Sequence, residues 1–366
     1  MSEWRDLFST PAAGESGRTC SFRVLRRRGH DLLALPMPRR AATRALTLYA
    51  AQTRFARWSK ALLRVALSSG LPVPLPRVDL AIALHDPLLA WLQEMAGTPG
   101  TPGIAILAGN PFSEGRRFVL LAYRDDEPVV VAKAGLTPEA RTLIEQEAKF
   151  LESVAQRWPH LPRFCGAKVA GTFSGLALEF IEGHSPAATD TAGMRAVLQS
   201  WLDTAHPVAL DALTPWQRLT SQAGVGPIVE RVAGRQVVPA LFHGDFAPWN
   251  VRVEKLSRRW MVIDWERGVT AGVPGWDWFH WMIHVSVLVH RHDADASVEF
   301  LRAVLRSPDF QQYAQAAQIA GLEKALLAAY LIYLHEFIIP PSWSEPGRPD
   351  LKKTIASLRD VFMRQL

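Results

Sequence analysis

The sequence of 366 residues contains only two cysteines, Cys20 and Cys165, and lacks the features that mark secreted or membrane-spanning proteins. Two cysteines cannot form a disulfide framework, and no metal-site spacing is present. No uncharged apolar run approaches the roughly 20 residues that a spanning helix requires. The first residues, Met-Ser-Glu-Trp-Arg, do not have the pattern of a secretory signal peptide. We therefore expect a cytoplasmic protein, which could also lie against the inner face of the membrane.

The net charge of +6 is unevenly distributed along the chain. Residues 1–90 contain 14 Lys and Arg against 6 Asp and Glu, a net charge of +8, whereas the remainder contains 27 basic and 29 acidic residues. This N-terminal excess favours an anionic membrane surface, an acidic protein face or nucleic acid as a partner. No recognised nucleic-acid-binding motif or aromatic-basic repeat occurs there, so we expect no nucleic acid partner.

An amphipathic helix is predicted from Ala41 to about Leu67. Its apolar stripe comprises Leu48, Ala51, Phe55, Trp58, Leu62 and Val65, and its basic face comprises Arg57, Lys60 and Arg64. One interpretation is a peripheral contact with an anionic membrane. The other, which is the commoner arrangement, is a helix packed on the next lobe with a solvated basic face.

A segment rich in Gly and Pro, residues 97–103, is the predicted boundary after a basic, mainly helical N-terminal extension of residues 1–100. Five strands are predicted beyond it, at 104–108, 116–124, 128–134, 167–170 and 176–181. The first turn, Gly109 to Gly115, could cover nucleotide phosphates with its backbone amides, with Ser113 nearby. A plain hairpin loop is the alternative for this turn.

Lys133 ends the third of these strands among apolar neighbours, where an ammonium group requires an acidic partner. The helix predicted from about Pro138 to Gln156 offers Glu145 and Glu147, and Glu147 lies beside the apolar stripe. A pair between Lys133 and Glu147 would direct the ammonium group at the α- and β-phosphates of a nucleotide. A lysine at a strand edge in solvent is the alternative.

The fifth strand leads into Glu182-Gly183-His184-Ser185-Pro186, which has the composition of a hinge. Backbone groups at Glu179 and Ile181 could hydrogen-bond an adenine ring there without any diagnostic side chain. Helical periodicity predominates afterwards, and five helices are predicted from Gly275 onward. We therefore assign residues 101–183 to one lobe and residues 184–366 to a second, helical lobe.

The stretch from His243 to Glu266 carries three polar side chains that could form a phosphoryl-transfer site. Asp245 and Asn250 lie five residues apart on a predicted loop, so a base and a metal ligand could project from one turn. Asp264 follows a short apolar strand that could return it to the same point as a second ligand. Oxygen ligands suit Mg²⁺, and a carboxylate can orient an attacking hydroxyl and accept its proton.

The run His243-Gly-Asp-Phe-Ala-Pro-Trp-Asn250, followed by Ile263-Asp-Trp-Glu266, resembles the catalytic and metal-binding signatures of the aminoglycoside phosphotransferase and choline kinase family, relatives of the protein kinases. The order of lysine, glutamate, hinge, catalytic loop and metal aspartate is similar as well, from about Gly103 onward. The resemblance implies an α+β, bilobal protein-kinase-like fold. It would have a five-stranded antiparallel N-lobe sheet, a helical C-lobe and ATP with Mg²⁺ between them, preceded here by the helical basic extension.

The same resemblance implies roles for the residues of the motif. Asp245 would be the catalytic base, and His243 would brace its loop by hydrogen bonding. Asn250 and Asp264 would be the Mg²⁺ ligands. The predicted activity is therefore transfer of the γ-phosphate of ATP to a hydroxyl group of a small molecule.

Further residues match the family's pattern outside the catalytic loop. Lys133, held by Glu147, would bind the nucleotide phosphates. Asp277 would tie the following helix to the loop, and Glu266 completes the Asp-Trp-Glu form that is familiar in small-molecule kinases. The first turn has no Gly-x-Gly-x-x-Gly, so the resemblance does not locate a phosphate clamp.

The acceptor is expected to be a sugar, an amino alcohol or a saccharide-like molecule, with an aminoglycoside as the alternative. Aminoglycosides are polycations that call for an acidic face, whereas residues 277–366 contain 10 acidic and 9 basic residues. Aromatic residues of this region could stack on a sugar or enclose a quaternary ammonium group, although most are expected in the core. They are Trp276, Trp278, Phe279, Trp281, Tyr330, Tyr333, Phe337 and Trp343.

Two alternatives of other kinds stay open. The chain could be a catalytically silent nucleotide-binding scaffold that uses the basic N-terminal helix to bind a membrane or a partner. His280 and His284, four residues apart, could share a helix face as metal ligands, but no third ligand has a suitable spacing.

Overall fold

The computed structural model describes residues 3–49, 54–111, 115–154, 157–339 and 351–365. They belong to two compact units: Met1–Ser153 with Pro162–Phe180, and Val154–Leu161 with Ile181–Leu366. Four residues named above lie outside the described residues: Ala51, Ser113, Gln156 and Trp343. Within the described part of the chain, no helix combines the length and the apolar character that crossing a bilayer requires.

An antiparallel sheet is the main element of the first unit. Its strands are β1 Gly17–Arg27, β2 His30–Pro36, β3 Arg77–Ala83, β4 Gly103–Leu107, β5 Arg117–Arg124, β6 Glu127–Gly135, β7 Phe164–Val169 and β8 Ser174–Glu179, in the order β3-β1-β2-β4-β5-β6-β8-β7. Two hairpin turns, Arg28-Gly29 and Asp125-Asp126, have positive φ at both residues. Turns of this kind match the twist of the strands that they join, so they fix the register of β1 with β2 and of β5 with β6.

The expected number of five strands is wrong, because the first hundred residues supply three more strands to the same sheet. The five predicted segments form β4 to β8. β2 joins them through β4, where Leu33 lies opposite Leu107, and β1 pairs with both β2 and β3. The N-terminal region is therefore not a helical extension that precedes the sheet. Its strand signal is weak because three prolines precede β3 and two arginines end β1.

Helices pack on both faces of this sheet. They are α1 Arg39–Ala45, α2 Arg54–Ser69, α3 Pro87–Ala96 and α4 Pro138–Val154. Ile104 and Ile106 of β4 belong to the cluster that contains α3, whereas Ala105 between them packs with Ala42 of α1. Successive side chains of a strand point to opposite faces, so one strand serves both clusters.

The helix predicted from Ala41 to Leu67 is divided into α1 and α2, and the apolar stripe of α2 faces solvent. Trp58, Leu62 and Val65 are 71%, 64% and 60% exposed. The side that packs carries Leu63 and the buried Leu67 instead. α2 therefore packs on its own unit with Arg64 exposed, as one interpretation expects, but it packs through Leu63 and Leu67 and not through the predicted stripe. Amphipathicity alone does not show which side of a helix faces its own domain.

The second unit is mainly helical. Its helices are α5 Thr191–Ser200, α6 Thr214–Thr220, α7 Gly226–Val232, α8 Trp276–His284, α9 Ala294–Leu305, α10 Pro308–Ala316, α11 Glu323–Tyr333 and α12 Leu351–Met363. Short strands accompany them: β9 Gly183–His184, β10 Val208–Ala209, β11 Gln236–Val237, β12 Ala240–Phe242, β13 Val251–Glu254, β14 Trp260–Val262 and β15 Val269–Gly272. β12 pairs with β15, β10 pairs with β11, and β13 lies between β14 and β9. α8 and α11 continue as π-helical turns, Val285–Val289 and Leu334–Ile338.

Candidate active site

The loop from His243 to Asn250 leaves β12 and is fixed by a buried carboxylate on α8. The backbone N–H groups of His243 and Gly244 donate to the two carboxylate oxygens of Asp277, at 2.7 and 3.0 Å. Gly244 has a φ of +78°, and a Cβ there would lie 2.9 Å from the Cβ of Arg267, so a larger residue would be strained. Burial raises the pKa of Asp277 to about 7, although both hydrogen bonds oppose that shift.

His243 joins this loop to the end of β14. Its buried side chain accepts a hydrogen bond at Nδ1 from the backbone N–H of Asp245, at 3.1 Å. Its Nε2 lies 3.0 Å from the carbonyl oxygen of Ile263. A neutral imidazole with its proton on Nε2 satisfies both contacts, so the ring braces the loop without needing to titrate.

The carboxylate of Asp245 is held at both oxygens and is still partly open to solvent. Nδ2 of Asn250 donates to Oδ2 and to the backbone oxygen of Asp245, each at 2.9 Å. Nε2 of His280 lies 3.0 Å from Oδ1. The side chain of Asp245 is 33% exposed. Burial raises the pKa of Asp245, which makes the carboxylate a better proton acceptor.

His280 is fully buried and connects Asp245 with Tyr330 of α11. Nδ1 of His280 lies 2.5 Å from the hydroxyl oxygen of Tyr330, and its ring stacks on His284 with the centroids 3.9 Å apart. Burial holds the pKa of His280 well below its ordinary value and lowers that of His284 to about 3. Burial also holds the pKa of Tyr330 above its ordinary value. Tyr330 therefore donates to Nδ1, and the single N–H of a neutral His280 is left to donate to Asp245.

Asn250 and Asp264 are brought together by backbone pairing. The N–H of Ile263 donates to the carbonyl oxygen of Asn250 at 2.8 Å, directly ahead of the pairing of β13 with β14. Because Nδ2 of Asn250 points at Asp245, the amide oxygen lies on the other side of the carboxamide group. The amide oxygen of Asn250 and the carboxylate of Asp264 are donors of the type that suits Mg²⁺, which prefers a few protein oxygens and completes its shell with water and phosphate.

The alternative in which His280 and His284 form a metal site is wrong. Both ring nitrogens of His280 have partners within the protein. Nδ1 of His284 lies 2.9 Å from the backbone oxygen of His280. Across the residues that the structure describes, no group of three or more His, Cys, Asp or Glu side chains is arranged to hold a metal ion.

In the first unit, Lys133 of β6 and Glu147 of α4 form a buried ion pair. Nζ of Lys133 lies 2.8 and 2.7 Å from the two carboxylate oxygens of Glu147. Glu147 is fully buried, and the side chain of Lys133 is 12% exposed. Glu145, the other candidate partner in the sequence, accepts a hydrogen bond from the hydroxyl of Ser174 at 2.6 Å. The two glutamates of α4 therefore have different partners: Glu145 contacts Ser174, and Glu147 contacts Lys133.

The remaining predicted site residues are Glu179, Ile181, Glu266 and Ser113. The backbone N–H of Glu179 donates to the carbonyl oxygen of Arg163 at 3.0 Å, so this N–H is not available to an adenine ring. A contact of adenine with the backbone of Ile181 stays a prediction. Oε1 of Glu266 lies 3.9 Å from Nε of the neighbouring Arg267. Ser113 lies outside the described residues.

The contact of His280 with Asp245 and the contact of Tyr330 with His280 are not evident from the sequence. His280 follows Asp277 by three residues on α8, a spacing that places both side chains on one face of the helix. Since Asp277 was expected to hold the loop, this spacing is the signal that could identify His280. Tyr330 is a further 50 residues along the chain, and no local pattern connects it with the loop.

Comparison of the sequence with protein-family models gives no match, and comparison with curated proteins gives none either. Solved structures do resemble the chain. A thermostable mutant of the aminoglycoside phosphotransferase APH(4)-Ia, in ternary complex with AMP-PNP and hygromycin B, has a TM-score of 0.45 and 14% identity, and covers 76% of this chain and 97% of its own.

Two further solved structures have a similar degree of likeness. The aminoglycoside phosphotransferase APH(3'')-Id from Streptomyces rimosus has a TM-score of 0.40 and 15% identity, covering 68% of this chain and 98% of its own. An ethanolamine kinase from Plasmodium vivax has a TM-score of 0.42 and 10% identity, covering 92% of this chain and 95% of its own. By name, two of the three are aminoglycoside phosphotransferases and the third is an ethanolamine kinase.

Proposed function

We propose that this protein transfers the γ-phosphoryl group of ATP to a hydroxyl group of a small molecule, with Mg²⁺ as cofactor. The observation that carries the proposal is the environment of the Asp245 carboxylate. Its two oxygens contact Asn250 and His280, yet 33% of the side chain is exposed. A carboxylate that is fixed in this way and open to solvent can orient an attacking hydroxyl and accept its proton.

In the proposed step, the acceptor hydroxyl donates a hydrogen bond to Asp245 and its oxygen attacks the γ-phosphorus. The new ester bond forms as the bond from the γ-phosphorus to the bridging oxygen breaks, ADP leaves, and the hydroxyl proton passes to Asp245. The raised pKa of Asp245 favours this transfer because the carboxylate is a stronger base. Phosphoryl transfer depends mainly on positioning, so the contacts that fix this carboxylate matter as much as its basicity.

Asn250 and Asp264 are the proposed Mg²⁺ ligands. They supply an amide oxygen and a carboxylate, and the hydrogen bond between Ile263 and Asn250 keeps them adjacent. When bound, the ion would neutralise charge on the phosphate oxygens. The side-chain amide of Asn250 would then have two roles. Its nitrogen donates to Asp245, and its oxygen would bind the metal.

In the first unit, the ion pair of Lys133 and Glu147 is the proposed phosphate-binding group. Glu147 fixes the ammonium group through both carboxylate oxygens, and the side chain of Lys133 keeps some exposure. An ammonium group held in one position acts as a point charge for phosphate oxygens. Its partner is fully buried, so Glu147 can orient the lysine without itself repelling a nucleotide.

The aromatic residues that were considered for the acceptor are mostly core residues. Six of them are at most 7% exposed: Trp276, Trp278, Phe279, Trp281, Tyr330 and Tyr333. The ring of Phe337 lies 4.2 Å from the guanidinium carbon of Arg218 and is already engaged. A buried ring cannot stack on a sugar, so these residues do not favour one acceptor class over another. Sugars, amino alcohols, saccharide-like molecules and the alternative aminoglycosides all stay in the proposal.

An ATP-consumption screen over sugars, amino alcohols, aminoglycosides and lipid-linked saccharides, with and without Mg²⁺, tests the proposal. We expect one acceptor class to stimulate formation of ADP. Asp245→Asn should lower that rate by about 10²- to 10⁴-fold, the range of general-base contributions, and keep the thermal stabilisation by Mg·ATP. The exposed Asp211→Asn serves as the matched control and should be unaffected.

Two outcomes would contradict the proposal. Full activity of Asp245→Asn with the true acceptor would show that this carboxylate is not the base. Stabilisation by Mg·ATP without ADP formation for any acceptor would indicate the alternative, a catalytically silent nucleotide-binding scaffold.

A further inference from the structure

The exposed stripe of α2 is an apolar surface on the first unit. Trp58, Leu62 and Val65 are spaced by four and three residues, so they lie on one side of the helix, and all three are more than half exposed. Leu71, just beyond the end of the helix, is 60% exposed as well. Large apolar side chains that are grouped in this way, rather than scattered singly, mark a surface that another molecule covers.

The opposite side of α2 fixes the helix on its own unit. Leu67 is buried in the cluster that contains α1, and Leu63 packs against that cluster. The ammonium group of Lys60 donates to the backbone oxygen of Tyr49 at 2.6 Å. Rotation of α2 to bury the stripe would therefore break contacts that the helix already makes, and the stripe stays available to a partner.

The surroundings of the stripe are positively charged. The sequence contains no Asp or Glu between Asp31 and Asp79, whereas α2 alone contains four basic residues. One of these, Arg64, is exposed. Beyond the C-terminal end of α2 lies a cleft of about 310 Å³, lined by Arg23, Arg39 and the chain from Gly70 to Val73, which includes Leu71. The guanidinium group of Arg39 lies against Gly70 in this cleft.

We propose that this face binds the surface of an anionic phospholipid bilayer, with the stripe of α2 inserted at the level of the headgroups. A tryptophan and aliphatic residues on one side of a helix, next to basic residues and without acidic ones, have the composition of interfacial helices. The arginine-lined cleft adds positive charge where lipid phosphates would lie. This inference does not depend on the proposed phosphoryl transfer.

A lipid surface fits this face better than a second copy of the chain or nucleic acid does. A second copy of the chain would bring two basic helices together, and their like charges would repel. Nucleic acid offers phosphates but no apolar phase for Leu62, Val65 and Leu71. A bilayer with anionic headgroups supplies both an apolar interior and negative charge.

Flotation of the full chain with vesicles tests the proposal, using phosphatidylcholine alone and phosphatidylcholine mixed with phosphatidylglycerol. We expect binding to the mixed vesicles that weakens with added salt. Leu62→Glu and Trp58→Glu should each weaken it by about tenfold or more, because an exposed apolar side chain that would insert into the bilayer is replaced by a charge that anionic lipid repels. Arg64→Glu should weaken binding to the mixed vesicles by about tenfold.

The matched control is Leu256→Glu, since Leu256 is 98% exposed and lies in the second unit. It changes the net charge by the same amount as Leu62→Glu and should leave binding unchanged. All of these side chains are exposed, so the thermal transitions and any phosphotransferase activity in solution should match those of the unaltered chain.

Three results would overturn the proposal. The first is no binding to mixed vesicles, and the second is an equal loss of binding in Leu256→Glu and Leu62→Glu. The third is a dimer in sedimentation that Leu62→Glu converts to a monomer while vesicle binding is absent, which would assign this face to a second copy of the chain.

Discussion

Nε2 of His280 lies 3.0 Å from Oδ1 of Asp245, and the other nitrogen of the same ring lies 2.5 Å from the hydroxyl of Tyr330. Both His280 and Tyr330 are fully buried, so neither can contact a substrate. Because the ring is neutral, the hydroxyl of Tyr330 places the single imidazole proton on Nε2, where Asp245 accepts it. Tyr330 thus orients His280, and His280 orients the proposed base, Asp245. His280 is therefore a positioning residue and does not contact the substrate.

Replacement of His280 by Leu should lower kcat by about 10²-fold, the loss expected when a catalytic group shifts by about 1 Å. KM for ATP and for the acceptor should change little, because the ring does not reach them. His280→Gln can present an N–H near the position of Nε2 and should recover part of the rate. His206→Leu, at an exposed histidine, is the control. A loss that appears in KM alone, or equal rates for the Leu and Gln variants, would contradict the positioning role.

Tyr330→Phe should lower kcat by a smaller factor, about tenfold, while the ring of His280 stays in place. Without the hydroxyl, the imidazole proton can move to Nδ1, and a lone pair on Nε2 would then face the carboxylate. The loss of one buried hydrogen bond should also cost about 1 kcal/mol of stability. The double variant Tyr330→Phe with His280→Leu should be no slower than His280→Leu alone, because both changes act through one contact. Tyr333→Phe on the same helix is the control, and additive losses in the double variant would count against this coupling.

The sequence predicts the part of the site that is local and misses the part that is not. Asp245, Asn250 and Asp264 lie within 20 residues of one another, and turn chemistry followed by a short strand is enough to bring them together. Lys133 lies on a strand and Glu147 on the helix that follows it. Because that helix offers Glu145 and Glu147 as candidates, the sequence limits the possible partners of Lys133 to these two glutamates. The contact of Asp245 with His280 spans 35 residues and depends on how α8 packs, which no periodicity encodes.

In the fold, too, local elements can be predicted from the sequence and long-range pairing cannot. Each of the five strands β4 to β8 is visible as an apolar or alternating run, and the two-residue turn at Asp125-Asp126 marks one hairpin. The pairing of β2 with β4 joins residues more than 70 positions apart, so the size of the sheet could not be predicted from local pattern. For α2, both sides of the helix carry apolar residues, and only tertiary packing decides that Leu67 is buried while Leu62 is exposed.

Lys133→Met should lower the free energy of unfolding by about 3 to 5 kcal/mol, because it leaves the fully buried carboxylate of Glu147 without its partner. The double variant Lys133→Met with Glu147→Leu removes both charges and should recover most of that loss. Both variants should lose the stabilisation by Mg·ATP. Urea unfolding at neutral pH measures the first effect and thermal shift the second. Lys149→Met, at an exposed position of α4, is the control, and an equal loss in the single and double variants would contradict the pairing.

His284 should make the protein less stable as the pH falls. Burial lowers its pKa from 6.5 to about 3, so the unfolded chain binds a proton below pH 6.5 that the folded chain does not bind. The contribution of His284 to the free energy of unfolding is complete above pH 6.5. It decreases by about 2 kcal/mol as the pH falls from 7 to 5. His284→Gln removes this contribution, and urea unfolding at the two pH values measures the difference. The exposed His206→Gln is the control. If stability changed between pH 7 and pH 5 by the same amount in His284→Gln as in the unaltered chain, the shift would be contradicted.

Asp277, in contrast, should make the protein more stable as the pH falls. Its folded pKa of about 7 lies above the ordinary value of 3.8, so from about pH 4 to pH 7 the folded chain holds a proton that the unfolded chain has released. Stability from this residue therefore falls by about 2 kcal/mol as the pH rises from 5 to 7. The contributions of Asp277 and His284 offset each other in the unaltered chain, and single substitutions should separate them. Between pH 7 and pH 5, His284→Gln should gain stability and Asp277→Asn should lose it, so changes of the same sign in both variants would refute this assignment of the two buried groups.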